Sequence, residues 1–151
     1  MLRVPSPRRR GAVTVEAALV FPVVILLLLG LIVGAMGIVR YQQVAWLARE
    51  GARYASVHGT DYQLGVPGGT AATAQDVFDK AIRPNATILD PSSLGYSVTW
   101  DKKNAPYSVT TDFAKPTTNT VTVTVTYTWI PEVFFIGPIT LSSSSTLPMS
   151  Y

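Results

Sequence analysis

From Ala17 to Val39 the chain carries no charged or strongly hydrogen-bonding side chain. At about 1.5 Å per helical residue, this run of about 23 residues reaches roughly 35 Å, enough to cross a hydrocarbon core about 30 Å thick. A soluble core helix turns up a polar face within two turns, and none occurs here. The run therefore predicts a membrane-spanning helix. Arg3, Arg8, Arg9 and Arg10 precede it and favour an N-terminus left in the cytoplasm, with the rest of the chain translocated. Arg40, Arg49 and Arg53 lie beyond it, so the charge asymmetry is moderate. A cleavable secretory signal shares the basic start, and a cut near Gly34-Ala35-Met36-Gly37 would suit one. Signal apolar regions run only about 7–15 residues, however, and this longer stretch opens on an acidic residue, Glu16.

The remaining length leaves room for one modest folded domain: the chain has 151 residues in all. Its formal net charge of +3 invites a nucleic-acid reading until the charges are located. Without the first eleven residues, eight basic side chains face nine acidic ones, a balance of −1. The basicity belongs to the leader, and no nucleic-acid partner is expected. The absence of cysteine excludes disulfides, zinc-thiolate sites and thiol catalysis, although it says little about compartment.

Glu16 is the oddity of the apolar segment. A carboxylate carried to mid-bilayer costs up to about 3 kcal/mol, so such a group usually has a partner. Upstream the chain reads Arg8-Arg9-Arg10-Gly11-Ala12-Val13-Thr14-Val15-Glu16. A cut after Gly11 would create an α-amine on Ala12, four residues before Glu16 and on the same helix face. The carboxylate also sits near the helix start, where negative charge offsets the helix dipole. In a stack of helices it would equally serve a neighbour's amine, making register an electrostatic choice in a low-dielectric setting.

A basic leader ending in Gly11, a Glu at the fifth position after it and an apolar helix resemble a type IV prepilin. The closer resemblance is to the TadE-like pseudopilins of the tight-adherence, Flp-type pilus system. It is carried by Arg10-Gly-Ala-Val-Thr-Val-Glu-Ala-Ala-Leu-Val-Phe-Pro22 and by Ala48-Arg-Glu-Gly-Ala-Arg-Tyr-Ala55. The likeness covers roughly the first 58 residues. It implies cleavage after Gly11 by a prepilin peptidase, packing of the helix against other pilin or pseudopilin subunits, and residence in a bacterial inner membrane or an extracellular pilus. Two departures point to a minor pilin or assembly component and away from the bulk subunit. Ala17 stands where major Flp pilins tend to carry tyrosine, and the chain is far longer than they are.

Within the apolar run, Gly30 and Gly34 form a G-x-x-x-G step with Gly37 close by, a candidate face for helix packing. Glycine is common in membrane helices, which is the plainer account of all three. Pro22 removes the amide that would bond the Ala18 carbonyl and predicts a loosened or kinked turn. Beyond Val39, helical periodicity persists through Tyr41, Val44, Ala45, Ala48, Ala52 and Ala55, while Gln42, Gln43, Arg49, Glu50 and Arg53 fall elsewhere. Tyr41 and Trp46 are placed for the membrane–water interface. One helix is expected from Ala12 to about Ser56, with Gly51 weakening it by about 1 kcal/mol as a possible bend. Its alanine face predicts close docking, either onto the C-terminal domain or onto another subunit.

The organisation expected is a leader over 1–11, a membrane-spanning and extended helix over 12–58, and an extracytoplasmic domain over 59–151. The stretch from His58 to Gly69 is glycine-rich and reads as a loop. Thr73 to Ile82 reads as a short helix capped by Thr73, with Val77, Phe78, Ala81 and Ile82 facing inward and Pro84 ending it. Period-two alternation follows in Tyr96, Val98 and Trp100, and most cleanly in Val121, Val123, Val125, Tyr127 and Trp129. Segments 108–113 and 140–147 are plausible strand partners, with turns at Lys102–Pro106, at Lys115-Pro116 and from Pro131 to Pro138. One face is apolar and aromatic, the other threonine and serine, as in an antiparallel sheet packed on a helix with one side wet. The fold class is α+β, pilin-like, with a long N-terminal transmembrane helix and one short helix.

Little in the chain suits catalysis. One histidine and no cysteine leave nucleophile–base constellations nearly unavailable, and His58 at the helix end suits a capping or solvated role. Asp61, Asp76, Asp79, Asp90, Asp101, Asp112 and Glu132 lack metal-loop spacing. Asn85-Ala86-Thr87 fits a glycosylation pattern that means little in a bacterial chain, and Gly65–Gly69 lacks the lysine of a phosphate loop. No catalytic residue, metal or cofactor is expected. The alternative to a minor pilin is a membrane-anchored extracytoplasmic binding module whose helix is only a tether; in either case the lipid bilayer is a partner.

Overall fold

A computed structural model of the chain describes residues 10–101, 104, 107, 108, 117–131 and 137–150. The leader before Arg10 lies outside the described residues. So do Lys102, Lys103, Ala105 and Pro106 of one expected turn, 109–113 of an expected strand, Lys115-Pro116, and 132–136 of the turn between Pro131 and Pro138. Helix α1 runs over Arg10–Val57, passing through Pro22 and Gly51 without a break. It begins earlier than Ala12, so Gly11 and Ala12 both belong to its first turn.

Two units divide the chain, Met1–Met36 and Gly37–Tyr151. In the first, α1 leaves its apolar side chains uncovered: Leu19 is 76% exposed and Leu31 72%. A charged-free helix surface of this length is stable where the surroundings are themselves apolar, and α1 is long and apolar enough to cross a membrane.

In the second unit α1 changes character. Val44, Leu47, Ala48, Ala52 and Ala55 are fully buried. Gly51 is the reason the helix lies so close to the sheet. A Cβ built there would come 3.1 Å from Val123 Cγ1 and 3.3 Å from Ile82 Cδ1. The glycine read as a possible bend is instead a contact point, since a Cβ there would crowd Val123 of the sheet and Ile82. Tyr41, placed by periodicity on the inner face, is 49% exposed, whereas Leu47, outside that pattern, is fully buried.

The loop expected over 58–69 contains a short helix, α2 (Thr60–Gly65). It is tied down by hydrogen bonds from the Thr60 amide (2.7 Å) and hydroxyl to the Asn104 carbonyl. The helix expected over 73–82 is present but changes pitch. An α-helical turn α3 (Ala74–Val77) widens into a π-turn over Phe78–Ile82 and then tightens into a 3-10 turn over Arg83–Asn85. Thr73 caps it through a reciprocal pair: its hydroxyl accepts from the Asp76 amide at 3.1 Å, and its own amide donates to Asp76 Oδ2 at 3.0 Å. Val77, Ala81 and Ile82 are buried as their spacing predicts.

Three antiparallel strands form the main sheet in the order β1 (Leu94–Trp100), β4 (Thr120–Trp129), β5 (Ile139–Pro148). A small ladder pairs β2 (Tyr107–Ser108) with β3 (Thr117–Thr118). Register follows the alternation. Val98 lies opposite Val123, and Val123 opposite Ser145, so the central strand turns Val121, Val123, Val125, Tyr127 and Trp129 inward. On the other face Thr122 meets the Thr146 hydroxyl and Thr124 the Ser144 hydroxyl, each at 2.8 Å. These cross-strand pairs satisfy the wet side with short side chains. At Gly95 on β1 a Cβ would overlap Thr126 Oγ1, so a larger residue there would require the Thr126 hydroxyl to turn away. The architecture is α+β.

Candidate functional site

The site expected at the start of α1 is a strip of one helix face. Gly11 is exposed, and a Cβ added to it would meet nothing within 4 Å. Glu16 lies one turn beyond Ala12 and is exposed. Around it Val13, Ala17, Val20, Phe21 and Val24 line an open groove of about 330 Å³. Its only ionisable lining group is Glu16, so a carboxylate stands at the rim of an apolar surface. Among the described residues Glu16 makes no ion pair, which leaves its charge available to a cation from outside the described chain.

The three glycines do not act together. Gly30 and Gly34 are open on all sides, with nothing within 4 Å of an added Cβ. Gly37 is covered: the Trp129 ring would lie 2.9 Å from a Cβ there, at Cζ3. Gly37 therefore receives an aromatic ring of its own domain, and the open step is Gly30–Gly34 alone.

Where the apolar run ends, Arg40 places its guanidinium 4.8 Å above the Trp129 ring, a cation–π arrangement. Tyr41 and Trp46 are 49% and 44% exposed, compatible with the interfacial positions expected of them. The Arg40–Trp129 pair was not foreseen. Two signals point to it in retrospect: Arg40 is the first cation after the apolar run, and Trp129 ends the period-two run. One turn later Gln43 reaches across to the segment after the 3-10 turn. It donates to Thr87 Oγ1 at 2.8 Å and accepts from the Ile88 amide at 3.3 Å.

His58 is held as a structural group. Its Nδ1 donates to the Tyr54 carbonyl at 2.9 Å, its ring stacks on Tyr54 at 4.0 Å, and Tyr62 lies 4.6 Å away on a tilted plane. Asp76 and Asp79, expected on one solvated helix face, pair with Lys80 at 2.9 Å and Arg83 at 3.8 Å. The Thr73 hydroxyl, the Lys80 ammonium and the Thr73 amide hold the Asp76 carboxyl well below the usual carboxylate range. The same pair raises Lys80, chiefly through the hydrogen bond to Asp76. Ser92 amide and hydroxyl contacts lower Asp90. These are capping and turn interactions, and they account for the carboxylates without any bound ligand.

Residues 11–53 match the family described as TadE-like protein. That span opens on Gly11, includes Glu16 and the open Gly30–Gly34 step, and ends within the alanine-lined face of α1. No curated protein and no solved structure matches the chain. Over residues 11–53, therefore, the chain is similar to the TadE-like family, and that likeness is consistent with a pilin-type protein.

Proposed function

We propose that this chain is a minor pilin or pseudopilin that acts in assembly of a tight-adherence type IV pilus. A prepilin peptidase cuts the Gly11–Ala12 amide, water adds across it, and the leader departs with the new carboxylate. Ala12 keeps the new amine, protonated near neutral pH. At the first position of a helix that charge opposes the helix dipole and faces a membrane interior, so it needs a counter-charge. Glu16, one turn on, supplies it either to its own chain or to a neighbouring helix. Two unit charges about 4 Å apart gain roughly 4 kcal/mol at an effective dielectric near 20, against about 1 kcal/mol in water. In the membrane the pairing is strong enough to select a register between subunits.

The observation that carries this reading is the exposed Glu16 on an otherwise apolar groove, inside the TadE-like span and one turn beyond Ala12. The helix residues that follow anchor the subunit in the inner membrane, with the α+β domain on the outer side. Substitution of Glu16→Ala in the native host tests it. The expected result is loss of pilus assembly with membrane insertion intact. A tether without an assembly role would insert as well or slightly better and leave pili unchanged, and that result would overturn the proposal.

A further inference from the structure

The domain Gly37–Tyr151 leaves some large apolar side chains uncovered. Outside α1, those most exposed among the described residues are Val66 at 39%, Ile88 at 54%, Ile130 at 68% and Ile139 at 37%. Three of the four gather at one end of the domain. Ile139 pairs with Trp129 in the β4–β5 register, and Ile130 is the next residue along the chain. Trp129 in turn covers Gly37 and lies beneath the Arg40 guanidinium. Ile88 is held to the same stretch of α1 by its amide bond to Gln43 at 3.3 Å.

This end is set by the helix at the height where its apolar run stops. Gly37 is within the run and Arg40 is the first charge after it. Gly37 to Gln43 covers about 9 Å along the helix axis, comparable to a phospholipid headgroup layer. Exposed isoleucine side chains at that level would bury apolar surface against the uppermost carbons of the acyl chains. The opposite end differs. There Asp101 is exposed, its amide bonds the Thr120 carbonyl, and the Ser150 amide bonds the Ser56 carbonyl at 2.8 Å.

We propose that the end of the domain bearing Ile88, Ile130 and Ile139 is a second membrane-contact surface. It contacts the headgroup layer of the bilayer that takes up the apolar run of α1. This surface rests on the membrane-spanning reading of α1 and is independent of cleavage at Gly11.

The chain contains no cysteine, so single labels are straightforward. Ile130→Cys, Ile139→Cys and Ile88→Cys would each be labelled with an environment-sensitive dye in the full chain. Reconstitution at one chain per phosphatidylcholine nanodisc, with a headgroup spin-labelled lipid as quencher, reads lipid contact. The expected result is quenching several-fold stronger at all three positions than at Asp101→Cys. Each position is exposed, and an unchanged melting temperature certifies the fold of each variant; any one that folds suffices. Quenching equal to that at Asp101→Cys would overturn the proposal. So would a blue shift appearing only at high protein density and without lipid quenching, which would assign the surface to a second copy. A lipid spin-labelled in mid-chain, read with the dye on Leu28→Cys, separates the two readings: strong quenching there with none by headgroup-labelled lipid at Ile130 and Ile139 rejects this surface alone, whereas none at Leu28 rejects the span and the surface together.

Discussion

Between Leu19 and Leu31 the large side chains of α1 stand open, whereas between Val44 and Ala55 the same helix buries Val44, Leu47, Ala48, Ala52 and Ala55 completely. The difference lies in residue size as much as in polarity. The first stretch uses leucine, isoleucine and valine on every side, which maximises apolar area toward an apolar surrounding. The second narrows to alanine and glycine on one face, so the helix axis can approach a sheet, and places arginine, glutamate and glutamine on the other. One helix therefore meets two environments. Hydrophobic burial within the chain stabilises only its second stretch.

Leu47→Ala should show the contrast most strongly. Loss of a fully buried leucine costs about 2–5 kcal/mol, depending on how far the cavity relaxes. Leu28→Ala, at a position 54% exposed, should leave domain unfolding in detergent unchanged. Equal losses at the two positions would break the distinction. Gly51→Val comes next. It forces side-chain atoms into Val123 and Ile82 and should cost about 1–3 kcal/mol by overpacking. Gly34→Val meets nothing and should leave the domain untouched, so any effect it has on helix association sharpens the account of the Gly30–Gly34 step.

The smallest effect concerns the cap at Thr73. Thr73→Ala should cost about 1 kcal/mol near neutral pH. The folded Asp76 carboxyl titrates below its unfolded value, so its contribution is complete above the ordinary carboxylate range. It fades as pH falls from that range through the lowered folded value. Denaturant unfolding should accordingly find wild type and Thr73→Ala converging in acid. A difference that widened in acid would contradict the assigned cause.

Periodicity made much of this legible. The inward positions of β4, the Thr73 cap, the helix continuing past Val39 and the two-faced sheet all follow from local pattern, because burial on one side repeats at the pitch of the element. Leu47, Gly37, Gly51 and Gln43 were less accessible. Their roles depend on which residue of a distant strand or turn arrives opposite: Leu47 is buried although the periodic pattern passes over it, and the Trp129 ring covers Gly37. The π-turn over Phe78–Ile82 was not expected either, although Pro84 just beyond it leaves the Lys80 carbonyl without an α-helical amide partner. At the candidate site, Glu16 stood out in sequence because a carboxylate is rare in such company. The Arg40–Trp129 pair did not, because it joins residues far apart in the chain.

The most direct measurement is the intact mass of the protein purified from its native host. Processing at Gly11 yields a mature chain that begins at Ala12, with Glu16 as its fifth residue. A mass that retains Met1, or one that corresponds to a cut near Ala35, would contradict it.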